Sequence, residues 1–551
     1  MKIKTLPPQL IFLIILAFLL GIGNPFINFA SVYSIDDEFE SQRAAFEILN
    51  QRSLTQETYY PPLWAWVQLP FIILAILGLK IFSIYPSFEA IKQAVIFSPG
   101  MFLPIARILS ALLSSLSLIW IYKLGELLHS KKLGFLAAVF FTLSFLRIEL
   151  AHLGKVTSIF LFCSLGFVYF CLKLSQHLSK KDWYFALIFL SLSILSYQVG
   201  LALIPLLIIT LILSKDWRAF LFRSETIITS LSIAILVGLI FFGLNPNFLQ
   251  PNLEFINLFA PRLTLYEKII YHSKVIFYYE LPLLFFALLG SVKFFRLKKK
   301  QALLILIFGF LPFLLYFSID LVFPRYVILL IPFIAISCAF WFINNLRKKT
   351  LPLLLILIWS LVLGLKFNYL TFQPTTLIQA KRWIETNISP ISPVLSSKDH
   401  LGIIPSLSAL NPIILYNPYY HQAQVSLIRE RSLALDNMKN IQFLDCLTIE
   451  IPKEDLKNYL TKTHFDYIVV VYYDLSEKNQ FIEQLPPWPI KLVKTFYPTS
   501  KYQDLKSPTR MENPLIELFP RNQLGPFVEI YTAEIKSETK AFDVLQALNR
   551  R

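Results

Sequence analysis

The chain has 551 residues, of which 56% are hydrophobic and 16% are charged, and its formal net charge is +16. Soluble domains carry about 25% charged residues, so this composition excludes a disordered chain, a coiled coil and an ordinary soluble enzyme. Residues 1–370 hold 31 basic and 16 acidic residues, whereas 371–551 hold 20 and 19. The basic excess therefore lies among the apolar segments, as in membrane proteins, and not in a soluble nucleic-acid-binding domain.

Eleven apolar segments are predicted to cross a membrane, since a span needs roughly 20 mainly apolar residues. They are 9–29, 104–122, 133–147, 156–174, 183–197, 198–213, 227–243, 281–295, 302–319, 327–345 and 352–370. The first lacks a small-x-small cleavage site and is interpreted as an uncleaved span. A further run, 64–82, is long enough to span but is predicted to lie in the interface or to re-enter.

The basic loops decide the position of 64–82. If this run does not cross, one side of the membrane carries 19 basic and 4 acidic residues, and the other side, counted to residue 370, carries 12 of each. If it crosses, the later basic clusters change sides and the positive-inside rule fails. We therefore predict a cytoplasmic N-terminus and an extracytoplasmic C-terminal part.

The predicted architecture is a polytopic α-helical membrane domain, residues 1–370, followed by an extracytoplasmic soluble α/β domain, residues 371–551. The membrane domain includes an outer loop, 24–63, and the juxtamembrane segment 64–82. In the second domain, 377–385 is predicted to be helical, and 465–472 and 527–535 are predicted strands. Four cysteines without a CxxC pair predict neither a disulfide framework nor a structural zinc site. Because no Gly-rich phosphate loop is present, no nucleotide binding is predicted.

An acidic run, Asp36, Asp37 and Glu38, follows the first span. Three adjacent carboxylates beside a membrane are unfavourable unless they are used, and one of them suits a general base while a neighbour orients an acceptor or a metal. The alternative is a solvated loop or a helix N-terminus, where acidic residues are favourable.

Aromatic residues, including Tyr59 and Tyr60, precede the 64–82 run. They suit an interfacial aromatic belt, and aromatic rings also stack on sugars. A charged turn at 147–155 lies between two apolar runs, where ionisable residues are costly and often line a site. Its spacing places Glu149, His152 and Lys155 along one helical face. Ordinary ion pairing and snorkelling are the alternative.

Two arginines open spans on the predicted outer side. Arg325 stands in Phe323-Pro-Arg-Tyr-Val-Ile, and Arg107 begins another span. A guanidinium at such a depth suits bidentate binding of a phosphate, and an interfacial anchor is the alternative.

Together these motifs resemble, in order, the polyprenol-phosphate-sugar glycosyltransferases of the GT-C fold, which include the protein O-mannosyltransferases and the lipid A aminoarabinose transferases. The resemblance covers about residues 10–400. It rests on a short series of motifs, namely Asp37-Glu38, Tyr59-Tyr-Pro-Pro-Leu63, Arg107-Ile-Leu-Ser-Ala-Leu112, the charged turn, Pro324-Arg-Tyr-Val-Ile-Leu-Leu-Ile-Pro332 and Ala380-Lys-Arg-Trp-Ile-Glu-Thr-Asn387.

The resemblance implies an inverting transfer of a monosaccharide from a polyprenyl-phosphate donor to a protein, lipid or glycan hydroxyl outside the membrane. It implies that Asp37, with Asp36 as the alternative and Glu38 beside them, supplies the base. It further implies that Lys155, Arg325 and Arg107 bind the donor phosphate, and that Tyr59, Tyr60, Glu149 and His152 contact substrate. No cofactor is certain, although the acidic run is compatible with a divalent metal. A bacterial inner membrane is the expected location.

The chain departs from the aminoarabinose transferases at Tyr60-Pro61-Pro62, where they carry Glu-Lys-Pro. This departure argues against aminoarabinose transfer to lipid A. Two other classes compete with a transferase. A lipid or glycan flippase usually places charges at the bilayer midplane in repeated halves, and no repeat is visible here. A non-catalytic scaffold would use only the outer domain.

Overall fold

The computed structural model describes residues 6–26, 38–51, 61–97, 99–214, 220, 224–243, 264–297, 299–316, 324–345, 350–389, 392–397, 445–448, 465–473, 475–499, 518 and 520–533. The first nine helices are α1 Pro8–Ile22, α2 Glu38–Gln51, α3 Leu63–Ile81, α4 Phe88–Phe97, α5 Leu103–Leu128, α6 Lys131–Thr142, α7 Phe145–His152, α8 Thr157–Gln176 and α9 Lys180–Ser196. The remaining helices are α10 Ile204–Leu213, α11 Ser224–Gly243, α12 Leu265–Leu297, α13 Lys299–Tyr316, α14 Ile331–Asn345, α15 Thr350–Thr371, α16 Thr376–Asn387 and α17 Leu475–Gln484. Short 3-10 helices, Pro99–Phe102, Gln198–Leu203 and Pro324–Leu330, precede α5, α10 and α14.

The prediction of a polytopic helical membrane protein is confirmed. Within the described ranges, five helices are long and apolar enough to cross a membrane by length and composition, and seven if two bent pairs each count as one span. Four shorter apolar helices of 10–17 residues lie at further predicted spans. Each of the eleven predicted spans overlaps a helix, and α3 covers the run that the sequence left ambiguous.

Two predicted spans differ in detail from the helices that form. The first was predicted to reach residue 29, but α1 ends at Ile22, because Gly23 leaves the helical conformation and Pro25 disfavours a helical Asn24. The span predicted at 133–147 is bent by 58° between α6 and α7. The Ser144 side chain accepts a hydrogen bond from the backbone N–H of Arg147 and so starts a new helix at the bend.

The bundle core is built around α5, which packs against α1, α6 and α8, while α14 packs against α6 and α12. Apolar residues from all of these helices form one continuous cluster. Many large apolar side chains remain exposed on α3, α11 and α15, as expected of helices that face lipid. This packing leaves the ends of α1, α5, α7 and α8 free to meet at one end of the bundle.

The C-terminal part forms a five-stranded sheet, which includes the two strands predicted there. Its strands are β1 Pro393–Ser396, β2 Asp445–Thr448, β3 Tyr467–Tyr472, β4 Ile490–Phe496 and β5 Phe527–Ala533, in the order β2-β1-β3-β5-β4. Strands β1, β2 and β3 are parallel, and β5 is antiparallel to both β3 and β4. The α16 face carries Leu377, Ala380 and Ile384, which pack on one side of the sheet.

Candidate active site

The chain leaves α1 at Gly23, a position that only a glycine fits. Gly23 has φ +47°, and a Cβ there would lie 2.5 Å from both the Nε2 of His152 and the Oγ1 of Thr371. The backbone N–H of Asn24 donates a hydrogen bond to Thr371 Oγ1 at 3.2 Å. Because the left-handed region favours glycine, Gly23 allows the chain that leaves α1 to pack against the ends of α7 and α15.

His152 of α7 contacts Asn368 of α15, which is hydrogen-bonded to α1, at this end of the bundle. Its Nδ1 lies 2.7 Å from the carbonyl oxygen of Ile148, and its Nε2 lies 2.9 Å from Asn368 Oδ1. The Asn368 amide donates in turn to the Leu20 carbonyl at 3.2 Å, which fixes its orientation. With both ring nitrogens in contact with protein acceptors, His152 is suited to hold α7 in place. Its predicted contact with substrate stays a prediction.

Arg107 and the turn before α8 lie at the same end. Arg107 is 2% exposed, and its Nη1 donates a hydrogen bond to the Pro25 carbonyl at 3.2 Å. A Cβ on Gly154 would lie 2.7 Å from the Cβ of Ala106, so the 153–156 turn packs tightly on the first turn of α5. Trp64 Nε1 donates to the Gly154 carbonyl at 3.0 Å. The starts of α3, α5 and α8 therefore meet around one turn of the chain.

Lys155 is a buried ammonium in this turn. Only 2% of the residue is exposed, and its Nζ has no hydrogen-bond partner within the part of the chain that the structure describes. Helix α8 begins two residues later with no side-chain cap, and the buried Thr157 Oγ1 is also unpartnered among the described residues. An uncompensated buried cation is costly. An ammonium, a hydroxyl and a helix N-terminus together suit an anion such as a phosphate.

A second charged network lies deeper in the bundle and stabilises the bend between α6 and α7. Arg147 is 1% exposed, and its Nη2 donates to the carbonyls of Ala17 and Thr142 at 3.3 and 3.2 Å. Its Nη1 donates to Ser114 Oγ at 3.3 Å. A guanidinium at the C-terminal end of α6 is favourable because of the helix dipole. Arg147 thus binds the protein rather than a ligand.

Glu280, which is not among the residues predicted from the sequence, adds a carboxyl group to this network from α12. Its Oε1 accepts hydrogen bonds from Ser144 Oγ at 2.6 Å and from the Leu146 backbone N–H at 3.1 Å. It therefore caps the N-terminus of α7, while its own backbone has non-helical angles at a kink in α12. The available signal was a glutamate two residues before Pro282, next to a predicted span.

The other predicted residues lie nearby or outside the described residues. Glu149 is buried on α7, and Arg325 is buried in the first turn of the 3-10 helix that packs against α7 and α8. The Arg325 guanidinium lies 5.7 Å from the Tyr326 ring. Several predicted site residues lie outside the described residues, namely Asp36, Asp37, Tyr59 and Tyr60. Glu38 is the first residue of α2, but its side chain is likewise not described.

No group of three or more histidine, cysteine, aspartate or glutamate side chains suited to a metal occurs within the described ranges. The acidic run lies largely outside those ranges. The described site is therefore a set of buried basic and polar groups at one end of a helical bundle, where α1 ends and the chain continues toward the acidic run.

A family model for dolichyl-phosphate-mannose-protein mannosyltransferases matches residues 100–243. These residues include Arg107, the charged turn and Lys155. The match confirms the predicted resemblance to the polyprenol-phosphate-sugar glycosyltransferases, and with it the prediction of a membrane glycosyltransferase, over the part of the chain that it covers. No curated protein matches the chain.

Solved structures with similar architecture include ArnT from Cupriavidus metallidurans in the apo state, with a TM-score of 0.48 and 12% identity over 88% of this chain and 95% of that chain. The same protein bound to undecaprenyl phosphate gives 0.47 and 14% over 96% and 98%. The Archaeoglobus fulgidus oligosaccharyltransferase gives 0.43 and 12% over 84% and 69%. Each of these TM-scores is below 0.5.

Proposed function

We propose that this chain transfers a monosaccharide from a polyprenyl-phosphate donor to an extracytoplasmic acceptor hydroxyl, with inversion at the anomeric carbon. The observation that carries this proposal is Lys155, a buried ammonium that has no hydrogen-bond partner among the described residues and lies beside the uncapped N-terminus of α8. A lipid phosphate would supply an anion at this position. The dolichyl-phosphate-mannose family match includes this segment and points to the same donor chemistry.

In the proposed reaction, the Asp37 carboxylate removes the proton of the acceptor hydroxyl as its oxygen attacks the anomeric carbon. The bond between that carbon and the phosphate oxygen breaks, and polyprenyl phosphate leaves with the electron pair. Lys155, Arg107 and Arg325 stabilise the leaving phosphate. Asp36 is the alternative base, and Glu38 orients the acceptor or a divalent metal.

Substrate contacts are proposed for Tyr59, Tyr60, Glu149 and His152 around these charged groups. The acceptor is a protein, a lipid or a glycan. His152 acts chiefly by holding α7 against α15 through Asn368. The remaining polar residues on this end of the bundle shape the space between donor and acceptor.

The proposed topology places the site on the outer face of a plasma membrane, with a cytoplasmic N-terminus and the 371–551 domain outside. The contacts of Trp64 and Ala106 with Gly154 support it, because the segment between them leaves and re-enters the same end of the bundle. With 64–82 counted as a juxtamembrane segment, the basic loops fall on the opposite side, as the positive-inside rule requires.

The test is release of polyprenyl phosphate by protein in nanodiscs supplied with radiolabelled polyprenyl-phosphate sugars and membrane extract as acceptor source. Wild type is expected to release it, and Asp37→Asn is expected to lose release while keeping the wild-type melting temperature. Asp36→Asn and Glu38→Gln, assayed in parallel, identify the base among the three carboxylates. Donor binding without turnover by wild type would instead favour a flippase or a scaffold.

A further inference from the structure

Helix α2, which begins at the end of the acidic run, buries a glutamine that has no hydrogen-bond partner. Gln42 lies one helical turn after Glu38 and is completely inaccessible to solvent. Both its Nε2 and its Oε1 are buried without a partner in the described part of the chain. A native side chain that leaves a donor and an acceptor unsatisfied calls for an explanation, because most buried polar atoms are paired.

A second such amide faces the same helix pair from α3. Gln68 is also completely buried, and its Nε2 donates to the Trp64 carbonyl at 3.3 Å, whereas its Oε1 has no partner in the described residues. Helices α2 and α3 pack on each other through Ala45 and Ala65. The two glutamines therefore belong to one packed pair of helices.

This pair of helices joins the two halves of the proposed site. The last residue of the acidic run, Glu38, is the first residue of α2, and Trp64 of α3 is hydrogen-bonded to Gly154, the residue before Lys155. A sugar attached to a phosphate at Lys155 would therefore lie close to this pair. Carboxamides both donate and accept, which matches the hydroxyl groups of a sugar and brings no net charge.

We propose that Gln42 and Gln68 bind hydroxyl groups of the transferred sugar and thereby favour a neutral hexose or pentose over a charged one. This inference rests on the proposed function and adds to it the residues that recognise the sugar. The unpaired amide atoms are retained because the bound sugar satisfies them. An amide kept only for packing would gain stability on replacement by an apolar side chain of the same length, with no effect on ligand binding.

The experiment compares Gln42→Met, Gln68→Met and wild type in nanodiscs for binding of polyprenyl phosphate and of polyprenyl-phosphate-linked neutral hexoses and pentoses. The measured quantity is the affinity for the sugar-linked lipid divided by the affinity for polyprenyl phosphate, which is the gain in affinity due to the sugar. In each methionine variant this ratio is expected to fall about tenfold, while the affinity for polyprenyl phosphate and the melting temperature stay at or above those of wild type. Gln379→Met is the matched control, because the Gln379 amide is engaged by Pro374 and Gln523.

Three results would overturn the inference. Wild type could gain no affinity from any neutral sugar, or both variants could retain the full gain, or Gln379→Met could lose as much as they do. If the gain exists and disappears in the variants but no polyprenyl phosphate is ever released, recognition of the sugar stands and the transferase proposal fails. If neither lipid binds to wild type, both proposals fail.

Discussion

Trp64 donates a hydrogen bond to the carbonyl of Gly154, 90 residues further along the chain, at 3.0 Å. The same glycine packs against Ala106, so the starts of α3 and α5 lie together at the end of the bundle where α8 begins. The chain between Trp64 and Ala106 therefore returns to the end from which it departs. This relationship supports the proposal that 64–82 does not cross the membrane, independently of the charge distribution.

The sidedness predicts a specific pattern of cysteine labelling. In a Cys446→Ser background, Glu385→Cys on α16 is expected to react with a membrane-impermeant maleimide in intact cells. Lys132→Cys at the start of α6 is expected to react only after permeabilisation. Both positions are exposed. The remaining cysteines, Cys163, Cys171 and Cys338, are buried.

The reverse labelling pattern, or equal labelling of both positions in intact cells, would contradict the topology. The unsubstituted Cys446→Ser background gives the baseline for each measurement. Because Lys132 belongs to one of the basic clusters and Glu385 to the 371–551 domain, the two positions sample both predicted faces of the membrane.

The two buried cations near the site are predicted to respond oppositely to removal of charge. Lys155→Met should keep or raise the melting temperature in the absence of donor lipid, because it removes an ammonium that no described group compensates. It should weaken binding of polyprenyl phosphate at least tenfold. Arg147→Met should lower the melting temperature, since it leaves the buried carbonyls of Ala17 and Thr142 without their hydrogen-bond donor.

Thermal unfolding in nanodiscs, with and without polyprenyl phosphate, measures both effects. The lipid should raise the melting temperature of wild type but not that of Lys155→Met. A Lys155→Met protein that melts well below wild type and still binds the lipid would show that this lysine is structural.

Gly23 offers a test of how the outer loop is positioned. Gly23→Ala should lower both stability and transfer, because it combines an unfavourable positive φ with a Cβ 2.5 Å from His152 Nε2. Gly78→Ala in α3 is the matched control, since nothing lies within 4 Å of its Cβ position. Replacing a helical glycine by alanine there should be neutral or stabilising by up to about 1 kcal/mol.

The transfer rate and the melting temperature are measured for both alanine variants. The comparison distinguishes an effect specific to position 23 from a general effect of replacing glycine by alanine. Equal behaviour of Gly23→Ala and Gly78→Ala would mean that the loop adapts without cost. Loss of transfer with an unchanged melting temperature would place the whole effect on the loop that carries the acidic run.

Features that could be predicted from the sequence depend on neighbouring residues, whereas the features that could not be predicted depend on residues far away in the sequence. Local periodicity was sufficient to predict α16, β3 and β5, because their apolar spacing follows from the geometry of each element. The charged turn was visible because ionisable residues interrupt apolar runs. The role of Glu280 was not visible, since its partners Ser144 and Leu146 are more than 130 residues away. Gln42 gave no signal at all, because an amide on a helix is ordinary until its burial is known.

The C-terminal sheet contains a buried carboxylate whose charge is stabilised by four side chains. Glu529 in β5 is 2% exposed and forms an ion pair with Lys478 of α17 at 2.7 Å. It accepts hydrogen bonds from the hydroxyls of Tyr472 and Tyr497 at 2.7 and 2.8 Å, and also from Tyr531. The cluster joins β3, β5 and the residue that follows β4 to α17, so it stabilises the sheet on the face away from α16.

This cluster makes the stability of the domain dependent on pH. Burial alone would raise the pKa of Glu529, but the hydrogen bonds from Lys478 and the tyrosines outweigh burial and hold the pKa below its usual 4.5. A carboxyl with a lowered pKa in the folded state stabilises that state above its unfolded pKa, and this stabilisation is lost as the pH falls through the folded value. Glu529→Gln should therefore cost about 2 kcal/mol at pH 7. This loss of stability should persist from neutral pH down to about 4.5 and become smaller at lower pH, because protonated glutamate and glutamine then resemble each other.

The difference in melting temperature between wild type and Glu529→Gln, followed from pH 7 into the acid range, measures this effect and cancels the pH dependence of all other groups. A deficit of the same size well below pH 4.5 would show that shape, and not charge, links Glu529 to its partners. Tyr497→Phe provides the control, because it removes one donor and leaves the ion pair with Lys478 intact. The loss of stability in Tyr497→Phe should be smaller than in Glu529→Gln and should be constant through the neutral range. It should also decrease in acid, since the lost hydrogen bond is made to the ionised carboxylate.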